Sequence, residues 1–134
     1  SNILVLRPAK RIDTLEVALA DFSPLQDAPL APMSPESLLY IAPERWEGVV
    51  LPASDQYGLA AVVYELLTGR PPYQGISERI LKFLHTTRLP QPAHTLNRKL
   101  SPQVDDVLMC ALGKRPADRF ESVAQFAQAL KRCQ

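Results

Sequence analysis

Two oxygen-bearing residues bracket the first part of the chain in a way that could hold a divalent cation. Asn2 precedes the apolar run Ile3-Leu4-Val5-Leu6, and Asp21 follows the run Val17-Ala18-Leu19-Ala20. If the two runs pair as an antiparallel hairpin, the amide and the carboxylate meet at its mouth. Mg²⁺ takes hard oxygen ligands of this kind and keeps some of its waters. Read from spacing alone, a plainer alternative stays open: Asp21 starts a turn and Asn2 sits at the chain end. The other titratable residues give less. His85 and His94 stand nine residues apart without a cysteine or carboxylate at ligand spacing, which argues against zinc. Cys110 and Cys133 make no disulfide framework and suit a reducing compartment, with Cys110 as a small core residue.

The elements that would position such groups are mostly helical. The two apolar runs near the start are the β signal of the chain. From Ser23 to Pro43 an extended loop is expected, because Pro24, Pro29, Pro32 and Pro35 remove backbone donors and block helix. A loop of that length is a candidate working part. Four helices follow. Ser54 is the expected cap of Asp55–Leu67, which is apolar nearly all round and therefore expected in the core, with Gly69 ending it. Ser77 caps a second helix with Ile80, Leu81 and Leu84 inward. Ser101-Pro102 opens a third, where Val104, Val107, Leu108, Ala111 and Leu112 share a face up to Gly113. Ser122-x-x-Gln125 reads as a capping box for a fourth, with Val123, Phe126, Ala127 and Leu130 on one side.

Composition bounds the function. The chain has 134 residues, enough for one domain, and a net charge of +1, too little to attract nucleic acid or an anionic membrane surface. With 46% apolar residues it is not a disordered chain. No signal peptide is visible, and the longest apolar stretch, Gly58 to Tyr64, is far short of the roughly 20 residues a membrane span needs. A cytoplasmic location without membrane contact is expected. Proline is in excess, at 13 residues.

Several motifs, in order along almost the whole chain, resemble the serine/threonine protein kinases of the bacterial, eukaryotic-like kind. Ser1-Asn2-Ile3-Leu4-Val5 looks like the end of the catalytic loop, H-R-D-x-x-x-x-N, with Asn2 as its asparagine. Asp21-Phe22-Ser23 looks like the D-F-G motif, with serine where the family has glycine. Tyr40-Ile41-Ala42-Pro43-Glu44 looks like the A-P-E segment that closes an activation loop of about residues 21–44. Ser54-Asp55-Gln56-Tyr57-Gly58, running on to Thr68-Gly69-Arg70-Pro71-Pro72-Tyr73, looks like the central helix of the C-lobe. Lys114-Arg115-Pro116-Ala117-Asp118-Arg119-Phe120 looks like the turn carrying the family's late arginine.

The resemblance implies a mainly α fold: a kinase-like C-lobe, a helical bundle around a buried central helix, with one short β-hairpin near the N-terminus. It implies that Asp21 and Asn2 hold Mg²⁺ beside ATP in an intact kinase. It further implies that Ser37, Leu38, Leu39 and Ile41 line the substrate-docking loop, that Glu44 and Arg119 form a buried ion pair, and that Asp55 accepts bonds from the catalytic-loop backbone. Ser34 is a candidate phosphorylation site, since a phosphate there could recruit an arginine. Ser23 restricts a segment that glycine lets flip.

Just as informative is what these 134 residues do not contain: a glycine-rich phosphate loop, a V-A-I-K lysine, or an H-R-D aspartate. The whole chain, 1–134, therefore reads as a partial kinase domain. It is expected to be inactive alone and to bind neither ATP nor Mg²⁺ tightly. Its expected partners are a protein substrate and the missing N-terminal part of the domain, with self-association or element swap through an exposed core face as a further expectation. A competing reading is a pseudokinase scaffold whose task is binding.

Overall fold

The computed structural model describes residues 3–7, 16–19 and 34–133. It divides into two units, residues 1–31 and 32–134. In the first, β1 (Ile3–Arg7) pairs antiparallel with β2 (Glu16–Leu19), Ile3 opposite Leu19 and Val5 opposite Val17, with an irregularity between Val5 and Arg7. The apolar runs thus lie in strands, each within one residue of the span expected from sequence.

The second unit is helical. The chain passes through two 3-10 turns, Ser37–Tyr40 and Pro43–Glu47, before α1 (Pro52–Thr68). The expectation of a plain extended loop is therefore corrected for residues 37–40: the last proline of the run is Pro35, so nothing beyond it bars a helical turn. Helix α1 also starts earlier than its expected cap. Pro52 takes the first position, where a missing N–H costs nothing, and Ser54 lies one turn in. From there Ser54 Oγ still accepts the Leu51 N–H at 3.2 Å. At the other end Gly69 adopts φ +82°, a left-handed conformation that favours glycine, and returns its N–H to Glu65.

Four helices follow: α2 (Glu78–Thr87), the single turn α3 (Ala93–Leu96), α4 (Pro102–Ala111) and α5 (Val123–Lys131). Ser77 caps α2 by accepting the Ile80 N–H, and Ser122 caps α5 by accepting that of Gln125 at 3.2 Å. The capping box of α5 is only half made, because the Gln125 amide bonds Glu121 instead. The core runs through α1, α3, α4 and α5, with Tyr57, Ala60, Tyr64, Leu108, Leu112 and Phe126 fully enclosed.

Three packing expectations change. Leu66 on α1 is 55% exposed, so that helix is not covered on all sides. Ile80 is 40% exposed, and the inward face of α2 is Leu81 and His85, with Leu84 partly buried. On α5 only Phe126 is buried; Val123 and Ala127 face solvent. Cys110 is half-buried at the edge of the core, its thiol donating to the Asp118 carbonyl.

Candidate functional site

Residues 34–47 bring most of the expected site residues that are described into one place. Ser34 Oγ lies 2.9 Å from Ser37 Oγ, and the Ser37 N–H bonds the Ser34 carbonyl, which starts the 3-10 turn. Ser34 and Ser37 are exposed, and Leu38 and Leu39 are half-buried. Ile41 is buried, so its side chain anchors the segment to the body. Tyr40 ties the turn to α1: its hydroxyl donates to Glu65 Oε2 at 2.5 Å. Burial first, and the Glu65 carboxylate second, push the Tyr40 phenol up to about 12, so it stays a donor.

Glu44 and Arg119 meet across 75 positions of sequence. The guanidinium takes both carboxylate oxygens, Nη1 to Oε1 at 2.8 Å and Nη2 to Oε2 at 2.7 Å. The remaining donors go to backbone: Nη1 also to the Ala53 carbonyl, Nε to that of Gly113, and Nη2 more loosely to that of Lys114. All five N–H groups of a buried arginine are thus satisfied, and its guanidinium carbon lies over the Tyr57 ring, 4.9 Å from the ring centre. Ser54 Oγ adds a third bond to Glu44, at 2.7 Å. Burial works to raise the Glu44 carboxyl, but the bonds from Arg119 and Ser54 outweigh it and hold the group below the usual carboxylate range. Asp55, in the first turn of α1, is exposed. Asn2, Asp21 and Ser23 lie outside the described residues.

Behind the Ser37–Tyr40 turn is a cluster that the spacing of residues along the sequence did not reveal. His85 of α2 is completely buried, with Nδ1 2.8 Å from the Tyr57 hydroxyl. Tyr73 meets its ring edge-on at 4.8 Å, and Trp46 lies 6.4 Å away. Burial, then the nearby Lys114 charge, lower the imidazole to about 4, while the backbone of Leu39 and Leu38 pulls the other way. Lys114 Nζ donates to Tyr73 Oη and to the His85 carbonyl, both at 2.8 Å, so it caps the end of α2. Burial, and less strongly Arg119, bring that ammonium down to about 8. The signal in the sequence was there: His85 lies four residues beyond Leu81, on the same helical stripe.

No family model matches the chain. Curated relatives do. A probable serine/threonine-protein kinase of Corynebacterium efficiens is 38% identical over 97 residues, 69% of this chain. The serine/threonine-protein kinase PknB of Mycolicibacterium smegmatis is 35% identical over 94 residues. The chain spans only about 15% of the length of these relatives. Among solved structures, the Mycobacterium tuberculosis PknI kinase domain superposes with a TM-score of 0.64 at 27% identity, covering 99% of this chain and 44% of that one.

Proposed function

We propose that this chain, a C-lobe-like chain of the bacterial serine/threonine protein kinase kind, supplies the substrate-docking and structural half of a protein-phosphorylating domain and transfers no phosphate by itself. The observation that carries the reading is the turn Ser37–Tyr40, bonded to α1 through Tyr40 and followed at once by the doubly bonded Glu44–Arg119 pair. That arrangement presents Ser37, Leu38 and Leu39 on a fixed base, which suits capture of an extended peptide around a serine or threonine. The domain boundaries 1–134 and the loop 21–44 belong to the same proposal.

ATP and Mg²⁺ belong to the intact kinase. Among the described residues no group of three or more His, Cys, Asp or Glu could hold a metal ion. Asp21 and Asn2, outside the described residues, are the groups proposed to hold the metal, on the motif resemblance alone. When bound, the metal neutralises charge on the β- and γ-phosphates. What this chain's own described residues do is position: Glu44, Arg119 and Ser54 fix the base of the docking turn, and Ser37 offers a hydroxyl at its surface.

The test has two arms. Incubated with Mg²⁺-ATP and a mixed serine/threonine peptide library, the chain is expected to give no phosphopeptide; turnover overturns the inactivity. Binding of the same library, read by fluorescence anisotropy, is expected to weaken about tenfold in Leu38→Glu, the factor that roughly 1.4 kcal/mol of lost contact carries. Unchanged binding overturns the docking role. The scaffold alternative is favoured by one residue, Ser23 in Asp21-Phe22-Ser23; the upstream gene sequence decides it, since an intact H-R-D and lysine mean an enzyme.

A further inference from the structure

Where α1 ends, an open cleft of about 200 Å³ is lined by Tyr64, Arg70, Pro71, Pro72, Gln74 and Gln91. None of residues 37–40 takes part in it. Gly69 turns the chain out of the helix at φ +82°, and the Thr68 hydroxyl, within bonding distance of the Tyr64 and Arg70 carbonyls, pins the strap that follows. The opposite wall is Gln91. Its carbonyl accepts the Tyr64 hydroxyl at 2.7 Å, and its side chain is held at both ends. Nε2 donates to Thr95 Oγ1 at 3.0 Å, and Oε1 accepts from Arg70 Nη2 at 2.6 Å. An arginine only donates, so the amide must turn its oxygen toward Arg70.

The cleft thus holds a cation in place without neutralising it. Arg70 is its one charged lining residue, and among the described residues no carboxylate pairs with it. Glu65, five positions earlier on α1, accepts the Tyr40 hydroxyl, and the buried Asp105 of α4 is taken by the backbone N–H and Nδ1 of His94. The carbonyls at the end of α1 do not supply the counter-charge either. That of Glu65 accepts the Gly69 N–H, that of Leu67 accepts Asn97 Nδ2, and that of Tyr64 meets the Thr68 hydroxyl. Of the five donors on the Arg70 guanidinium, the described contacts use one.

We infer that this cleft binds an oxyanion carried on a side chain of a partner peptide, a glutamate carboxylate or a phosphorylated serine, with Arg70 as the binding residue. Both groups accept two parallel bonds from a guanidinium. Gln74 is exposed at the rim and can add an amide donor, and the rings of Pro71 and Pro72 give the stem of the incoming side chain an apolar wall. The size suits one side chain: free small molecules usually fill pockets of roughly 300–1,000 Å³, more than the 200 Å³ here. An exposed pair of this kind is weak and sensitive to salt. The inference goes beyond the docking reading and does not depend on it, since the two use different residues.

The experiment is an NMR titration of the full chain, labelled with nitrogen-15, reading the side-chain signals of Arg70 Nε, Gln74 and Gln91. Three short peptides are added at low salt, identical except for a central glutamate, phosphoserine or glutamine, and inorganic phosphate is added separately. The glutamate or the phosphoserine peptide is expected to shift all three signals, and the tighter of the two names the source of the oxyanion. The glutamine peptide is expected to shift none. Arg70→Gln is expected to weaken binding about tenfold with an unchanged melt, and salt at about 0.3 M should weaken it in the wild type. Equal shifts from the glutamine peptide, or unchanged binding in Arg70→Gln, overturn the proposal. Inorganic phosphate shifting the signals as strongly as either acidic peptide means an adventitious ion only, and overturns it as well. Should Arg70→Gln not fold, the comparison of glutamate with glutamine peptide on the wild type decides. Leu38→Glu is expected to leave these shifts intact; their loss there would place the peptide on the docking turn and overturn the cleft.

Discussion

At the scale of single residues, Arg119 has the most partners of any side chain described here. Removing it strands Glu44, whose carboxylate would keep only the Ser54 hydroxyl, and frees the carbonyls of Ala53 and Gly113. Breaking a buried pair in this way costs about 3–5 kcal/mol, so Arg119→Ala is expected to melt far below the wild type or to be insoluble; an unchanged melting curve contradicts the role. Arg119→Lys keeps a charge but cannot fork across two oxygens, and its melt should fall between the two. Glu44 also sets an acid limit. Its folded carboxyl titrates below the free value, so its contribution is complete above the ordinary carboxylate range and is lost as pH falls through the folded one. Acid titration should therefore destabilise wild type more steeply than Glu44→Gln, measured by urea midpoints between pH 6 and 3. The sequence made this pair legible through motif order alone. The His85–Tyr57 contact was harder to read, because its partners lie 28 positions apart and no local spacing links them.

Elements were legible where their ends carry chemistry. Ser77, Ser122, Pro102 and Gly69 each stand at or beside a real boundary, because a cap hydroxyl, a first-turn proline and a left-handed glycine act within a few residues. Faces were less legible than ends. The stripe that put Ile80 inward missed that α2 docks through Leu81 and His85, and the all-apolar α1 hid an open side at Leu66. Composition records apolar residues, but only packing partners decide which of them are covered. Two expectations belong here. Gly69→Ala forces a Cβ into φ +82° and should lower stability by about 1 kcal/mol in urea unfolding, although nothing crowds the site. Ser77→Ala removes the cap of α2 and should cost about 1 kcal/mol, with exchange rising first in residues 78–81.

For the whole molecule, the open side of α1 at Leu66 bears on association: this chain is expected to seek a covering surface there. Light scattering should give a mass that grows with concentration, and Leu66→Lys should reduce that growth without lowering the melt; a strictly monomeric wild type contradicts it. The bond between Glu44 and Arg119 carries one more consequence, for the time course of folding. It joins positions 75 apart, so nearly the whole helical unit must be threaded before the contact can close. Contacts of such long range are slow to reach and tend to form after the transition state, when local helices are already in place. Weakening the pair should then leave the refolding limb of a chevron almost unmoved and lift the unfolding limb. In that case the salt bridge sets how long the lobe survives once folded, rather than how quickly it is made.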